Sequence, residues 1–307
     1  MIVGLVPIEG CFASGVAALL DVLRTADAVR TEIDSSIPPI QVHTLGWRKK
    51  VSTGAGLSVP VDGGMEELAA VDLCVVPALG TLSGPATIAA LDSRDGRRLV
   101  ASLSRAAPVS MAAACTGTFA LAEAGLLDHE RATTSWWLGR TFRERYPSVD
   151  LDLNAMIVVG EHAMTAGAAF AHLDLALAIV GRISPDLAHH VARLLLIDER
   201  ASQNGYLAVG HLDHDDALVR DFERRIRSTL DRPASISTIA REIGASRRTL
   251  ERRVRLATEM SPTEFVQRVR VERARHLVRG GLSVEQAAPQ VGYANAATLR
   301  SLIRRHR

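Results

Sequence analysis

Two sets of residues in this 307-residue chain have types and spacings suited to chemistry. The first is Cys115, in the run Ala114-Cys115-Thr116-Gly117 between an apolar stretch and a helical one. A residue there sits on a sharp strand-to-helix turn. The free N–H groups and positive dipole end of the helix lower a thiol pKa, which would make Cys115 a nucleophile. The plainer reading is a small buried hydrophobe filling a tight turn. The second set is a crowd of arginines near the C-terminus, whose planar forks can read guanine edges or clamp phosphates.

The charge is divided along the chain. Residues 225–307 hold 18 Arg, no Lys and 7 acidic residues, a balance of +11. Residues 1–224 keep 18 basic and 27 acidic residues, a balance of −9. A basic module on a mildly acidic body points to nucleic acid. No apolar run reaches the roughly 18–20 residues of a membrane span, and the start, MIVGLVPIEG, reads as a buried strand rather than a signal peptide. Cys11, Cys74 and Cys115 are too scattered for a disulfide framework or a CxxC zinc site. No metal or cofactor is expected, and a reducing cytoplasm suits this usage.

Short apolar runs alternate with helical spacing through the first 184 residues. Ile2–Ile8, Asp72–Val76 and Pro108–Ala112 read as strands buried on both faces. Ser14–Val29, Arg94–Arg105, Thr116–Ala124 and Ala168–Ile183 read as helices, with a hairpin around Gly160-Glu161. Pro60 demotes the strand at 57–61 to an edge. The order predicts an α/β doubly wound, mostly parallel sheet of flavodoxin-like type. Asp186–Ile197 reads as a further helix before an irregular stretch, and helices alone follow residue 213. The expected division is 1–184 for the α/β domain, 185–212 for a linker and 213–307 for an all-α domain with two helix-turn-helix units.

The first of these units runs from Ile236 to Leu256. Ile239, Ala240 and Ile243 share a helix face, Gly244 supplies the turn and Ser246 caps the next helix. Leu250 and Val254 bury that helix, leaving Arg247, Arg248, Thr249, Arg252 and Arg253 outward. The pattern repeats 48 residues on, with Gly292 as the turn and Asn295 as the cap. Thr298, Arg300, Arg304 and Arg305 face outward there. Pro289 should weaken the short helix before the turn. Between the units, Pro262–Arg279 is long enough to hold them apart. Two tandem matches in a +11 segment predict double-stranded DNA as the partner, with Ser246, Arg247, Arg248, Thr249, Arg252, Arg253, Asn295, Thr298, Arg300 and Arg304 as contacts.

The stretch ISTIAREIGASRRTLERRVRLATEMSPTEFVQRVRVERARHLV, with LSVEQAAPQVGYANAATLRSLIRRH after it, resembles the AraC-type DNA-binding domain. Pro262, Phe265, Arg270 and Ala274, then Ala287, Val291, Gly292, Tyr293 and Leu302, follow its pattern. The resemblance implies two recognition helices entering successive major grooves. Residues 1–183 resemble the ThiJ/PfpI branch of the class I glutamine-amidotransferase-like superfamily. The segments DLCVVPALG, ACTGTFALAEAGLLDHERATTSWW and MTAGAAFAHLDLALAIV carry that likeness. The pairing of the two resembles the GlxA-like transcriptional regulators.

Cys115 matches the nucleophile position of that superfamily, but Thr116 stands where its hydrolases carry His, and Ser135 where many relatives carry another. His129 and His162 are bases only by default. Glu9 could stand for the acidic partner of the cysteine. Losing the base removes roughly 10²–10⁴-fold of general acid–base help. The expectation is therefore a transcription regulator and not an enzyme, whose N-terminal domain forms a homodimer and senses a small-molecule effector. The alternative is a cysteine-dependent hydrolase or amidase attached to a DNA-binding module, and a third reading is a dimerisation domain without ligand. An effector pocket at the carboxyl edge of the sheet would use Glu9, Gly80, Cys115, Thr116 and Ser135, with Ala78, Leu79, Thr81, Met111 and Trp136 as candidate walls.

Overall fold

The computed structural model describes residues 1–106, 109–198, 203, 216–258 and 260–305. The chain forms two compact units, Met1–Gln203 and Asn204–Arg307.

The first unit is built on a seven-stranded sheet. Its spatial order is Ile157–Val159, Ala163–Ala166, Ser110–Ala114, Leu73–Val76, Ile2–Leu5, Gln41–Gly46 and Gly63–Gly64. Every pairing is parallel except that between Ile157–Val159 and Ala163–Ala166, the expected hairpin. The unbroken apolar runs have a direct cause. Val3, Leu5, Leu73, Val75, Ala112 and Ala114 enter one core, while Cys74, Val76, Met111 and Ala113 enter the other. Alternate side chains thus go to opposite faces and both faces are buried. The helices Ala13–Ile33 and His172–Ile183 cover the first face. Arg94–Arg105, Gly117–Glu123 and Gly139–Arg145 contribute to the second core. The segment with Pro60 forms an antiparallel ribbon, Ser58–Pro60 against Lys50–Ser52, outside the main sheet.

The helix Pro185–Leu194 lies in the stretch expected to be a linker. It is capped by Ser184, whose Oγ accepts from Leu187 N. Leu187 and Val191 are wholly buried in the same core as the helix Ala13–Ile33, so this helix belongs to the α/β unit. The remainder of the expected linker lies outside the described residues, apart from residues 195–198 and 203.

The described residues of the second unit form six helices: Ala217–Arg227, Ile236–Glu242, Arg247–Thr258, Pro262–Arg279, Val284–Gln290 and Ala296–Arg305. Two separate cores hold them. Val219, Phe222, Ile226, Ile239, Ala240, Leu250, Val254, Phe265 and Val269 make the larger, and Ala274, Ala288, Val291 and Leu299 the smaller. The helix Pro262–Arg279 serves both, with Phe265 and Val269 at one end and Ala274 at the other. Its start is fixed by a capping box, in which Ser261 N donates to Glu264 and Glu264 N to Ser261 Oγ. No helix among the described residues is long and apolar enough to cross a membrane.

Candidate functional site

The first helix-turn-helix is pinned by local chemistry. Gly244 has a φ of +74°, which lets Ala245 N reach back to Ala240 O and close the helix. Ser246 Oγ then accepts from Thr249 N at 3.0 Å, and the Ser246 and Thr249 hydroxyls bond each other at 2.8 Å. Those two expected contact residues are exposed but already share the cap. Arg247 pairs with Glu251 one turn on, at 2.8 Å. Arg253 is tied through two bonds to Asp216, whose carboxylate also caps the helix Ala217–Arg227 by accepting from Leu218 N. Arg253 therefore anchors the recognition helix to its neighbour.

Arg248 and Arg252 are left. Both are exposed and neither has a hydrogen bond or ion pair within the described residues. They line an open groove of about 900 Å³ together with Arg255, Ser261 and Thr263. Arg255 was not among the expected contacts. Its spacing, three residues past Arg252 and seven past Arg248, places it on the same helix face and was the signal that could have found it.

The second unit follows the same plan with less freedom. Gly292 has a φ of +75°, and a Cβ there would lie 2.4 Å from Leu230 O, so the turn needs glycine twice over. Asn295 Oδ1 accepts from Ala297 N at 2.7 Å, the expected cap. Thr298 and Arg304 are exposed. Arg300 is in an ion pair with Glu285 of the preceding helix. Pro289 sits in the last turn of Val284–Gln290, which stays helical through it.

At the end of the strand Ser110–Ala114, Cys115 has a φ of +57°, the strained turn expected of an elbow. Its N–H donates to Ala166 O and its carbonyl accepts from Thr134 Oγ1. Ser135 Oγ donates to Cys115 Sγ at 2.8 Å. Thr116 Oγ1 accepts from Leu79 N at 2.7 Å, which ties the elbow to the loop carrying Gly80. Gly80 has a φ of +77° and passes so close to Gly10 that a Cβ would strike its carbonyl. Gly80, Cys115, Thr116 and Ser135 thus lie along one connected network. Glu9 does not join it: its carboxylate faces Arg48 and Ser52 N. Met111 lies in the core and Trp136 packs edge-on against Trp137.

Cys115, Thr116 and Ser135 are each fully buried. Burial pushes the Cys115 thiol up, and the bond from Ser135 offsets this only in part. The expected lowering by the helix terminus is therefore corrected: desolvation wins over the dipole of a seven-residue helix. His129 is an exposed turn residue and His162 faces Glu130 at 4.0 Å. Among the described residues the buried histidine is His172, which the sequence reading did not single out. Its Nε2 accepts from Ala78 N at 3.1 Å, and Nδ1 donates to Ala169 O. Burial holds its pKa down to about 4, so the ring is neutral with both nitrogens committed.

Comparison with known proteins decides the family. Residues 239–307 match a helix-turn-helix domain family. The HTH-type transcriptional regulator CdhR of Pseudomonas aeruginosa is 30% identical over 248 residues, 78% of this chain and 70% of that one. The chain belongs to the HTH-type transcriptional regulators. The regulator GlxA of Rhizobium meliloti is 29% identical over 199 residues, covering 62% of this chain and 60% of that relative. Among solved structures, a ThiJ/PfpI family protein from Pseudomonas syringae superposes with a TM-score of 0.52 at 12% identity. It covers 84% of this chain and 89% of that one. An AraC family transcriptional regulator from Pseudomonas putida gives 0.53 at 22% identity, over 63% of this chain and 98% of that one. This HTH-type regulator thus joins a helix-turn-helix DNA-binding unit to an α/β unit of ThiJ/PfpI fold, and it acts in DNA-binding transcription regulation.

Proposed function

We propose that the α/β unit of this DNA-binding regulator forms a homodimer and senses a small molecule near Cys115, and that the helical unit reads its operator through Arg248, Arg252 and Arg304. The observation that carries the operator reading is the state of the arginines. Arg247, Arg253 and Arg300 are held by Glu251, Asp216 and Glu285, while Arg248, Arg252 and Arg304 have no partner among the described residues. An exposed, unpaired guanidinium on a recognition helix gives up little on meeting a phosphate or a guanine edge. Ser246, Thr249, Asn295 and Thr298 supply polar contacts around them, and working in the cytoplasm fits this role.

The sensory reading rests on Gly80, Thr116, Ser135 and Cys115 converging where the sheet's strands end, the usual ligand edge of such folds. Cys115 serves there as a contact or an oxidisable thiol. A hydrolase reading finds no support, because the thiol is pushed towards its protonated form and Ser135, a hydroxyl, is the group that meets it. A thermal-shift screen of metabolites on the full chain tests the sensing. A ligand at 100 times its Kd adds about 2.7 kcal/mol to the unit that binds it. A screen in which Cys115→Ser abolishes the response places the ligand at the elbow, and a response indifferent to Cys115, Thr116 and Ser135 substitutions moves it elsewhere.

A further inference from the structure

Gln203 is the last residue of the α/β unit, one position before the DNA-binding unit begins. It is 1% exposed, a rare state for a glutamine. Its backbone N–H donates to Asn154 O at 2.9 Å. Its side-chain Nε2 lies within hydrogen-bond distance of three acceptors: Thr133 Oγ1 at 3.1 Å, Thr134 O at 3.1 Å and Ala155 O at 3.0 Å. Gly167 makes the room, since a Cβ there would fall 2.2 Å from the Gln203 amide carbon.

This setting is built for a nitrogen donor, and Gln203 fits it incompletely. A primary amide brings two N–H bonds to three acceptors. Its other half is worse served: Gln203 Oε1 is buried and has no hydrogen-bond partner among the described residues. An unmet buried acceptor is costly, and such groups mark places where a further ligand or a change of occupant would help. The acceptors are themselves fixed by the elbow network. Thr133 N donates to Thr165 Oγ1, Thr133 Oγ1 donates to Ala155 O, and Thr134 Oγ1 donates to Cys115 O at 2.6 Å. Ser135, the next residue, bonds both Cys115 Sγ and Gly167 O.

We propose that the acceptors Thr133 Oγ1, Thr134 O and Ala155 O form a subsite for a terminal N–H donor, a primary amide or primary ammonium group, which the chain fills with its own Gln203 amide. A small molecule carrying such a group competes with Gln203 for these acceptors. A three-donor ammonium satisfies all three, and an amide with a second partner for its oxygen relieves the unmet carbonyl. Displacing Gln203 frees the last residue of the sensory unit. Only that last consequence rests on the sensory reading; the subsite stands without it.

Chemical rescue in the full chain tests the subsite. Gln203→Ala removes the amide and leaves a space matching acetamide. The variant should melt roughly 2–8 °C below wild type. Acetamide or methylammonium at tens of millimolar should raise its melting temperature more than that of wild type, where the subsite is filled. Acetate, which lacks the N–H donors, should not. The amide and ammonium arms show which donor the subsite prefers. Equal responses of variant and wild type to all three probes, or acetate acting as well as acetamide, would overturn the proposal. Should Gln203→Ala fail to fold, Gln203→Met keeps the volume and removes both donors. It should melt below wild type, and a Met variant as stable as wild type would refute a donor-specific subsite. A negative rescue leaves the outcome of the metabolite screen unaffected.

Discussion

Cys115 and Arg248 look equally functional as residue types, yet their surroundings treat them in opposite ways. At the elbow the polar groups are already answered inside the protein: Sγ by Ser135, the Cys115 carbonyl by Thr134, Thr116 by the Leu79 amide and His172 by Ala78 and Ala169. On the first recognition helix Arg248 and Arg252 stand in the open with no partner in the described chain. The second recognition helix lies between these extremes, with Arg300 held by Glu285 and Arg304 unpaired among the described residues. The lesson is that a reactive residue type states a capacity, while its partners state whether that capacity is directed inward or outward.

The largest expected effect belongs to the inward region. His172 has its folded pKa lowered to about 4, against an ordinary value of 6.5. Between these values the unfolded chain binds a proton that the folded chain refuses. Stability therefore falls as pH drops from about 6.5 to about 4, by on the order of 3 kcal/mol, and this contribution is flat below that. Chemical denaturation of wild type and His172→Gln across pH 4–7 checks this, since the variant should lose most of that slope. An unchanged slope would mean that the ring is not closed off as described.

On the outward side, Arg248→Ala or Arg252→Ala should each weaken operator binding by roughly 1–3 kcal/mol and relax sequence preference, without lowering the melting temperature. Arg253→Ala sharpens the contrast, because its partner Asp216 is nearly buried and caps a helix. It should cost stability before it costs specificity. Arg300→Ala should have a smaller effect, about 1 kcal/mol or less, since Glu285 already competes for this guanidinium. Its salt slope should fall by at most about one counterion. Fluorescence anisotropy on one operator fragment and one scrambled fragment resolves these cases.

The smallest effect is expected at Cys115. Cys115→Ser keeps the size and can still accept from Ser135, so stability should shift by no more than about 1 kcal/mol and basal DNA binding should hold. Amide or ester turnover that vanishes in this variant would reverse the inward reading of the elbow.

Much of this contrast was written locally. Gly244, Ser246, Leu250 and Val254 sit within one supersecondary unit, so spacing alone placed the turn, the cap and the buried face. The strand before Cys115 and the helix after it located the elbow for the same reason. What escaped depends on residues far apart in the chain. Arg253 meets Asp216 37 residues away, His172 meets Ala78 94 residues away and Gln203 meets Thr133 70 residues away. No periodicity reports such pairs. Glu9 was misjudged on similar grounds, because its position after the first strand gave no sign of Arg48, brought beside it by the next strand and ribbon. The lowered thiol pKa failed because helix termini are legible in sequence and the degree of burial is not.

The central claim is that sequence reading resides in the unpaired arginines of the first recognition helix. Its most direct test is a footprint of the full chain on its own upstream DNA, wild type beside the double variant Arg248→Ala, Arg252→Ala, at about 50 and 200 mM salt. The account predicts a wild-type footprint that weakens steeply with salt, and a folded double variant whose affinity for that site drops towards its affinity for random duplex. A double variant that protects the same bases at the same concentrations as wild type would contradict it.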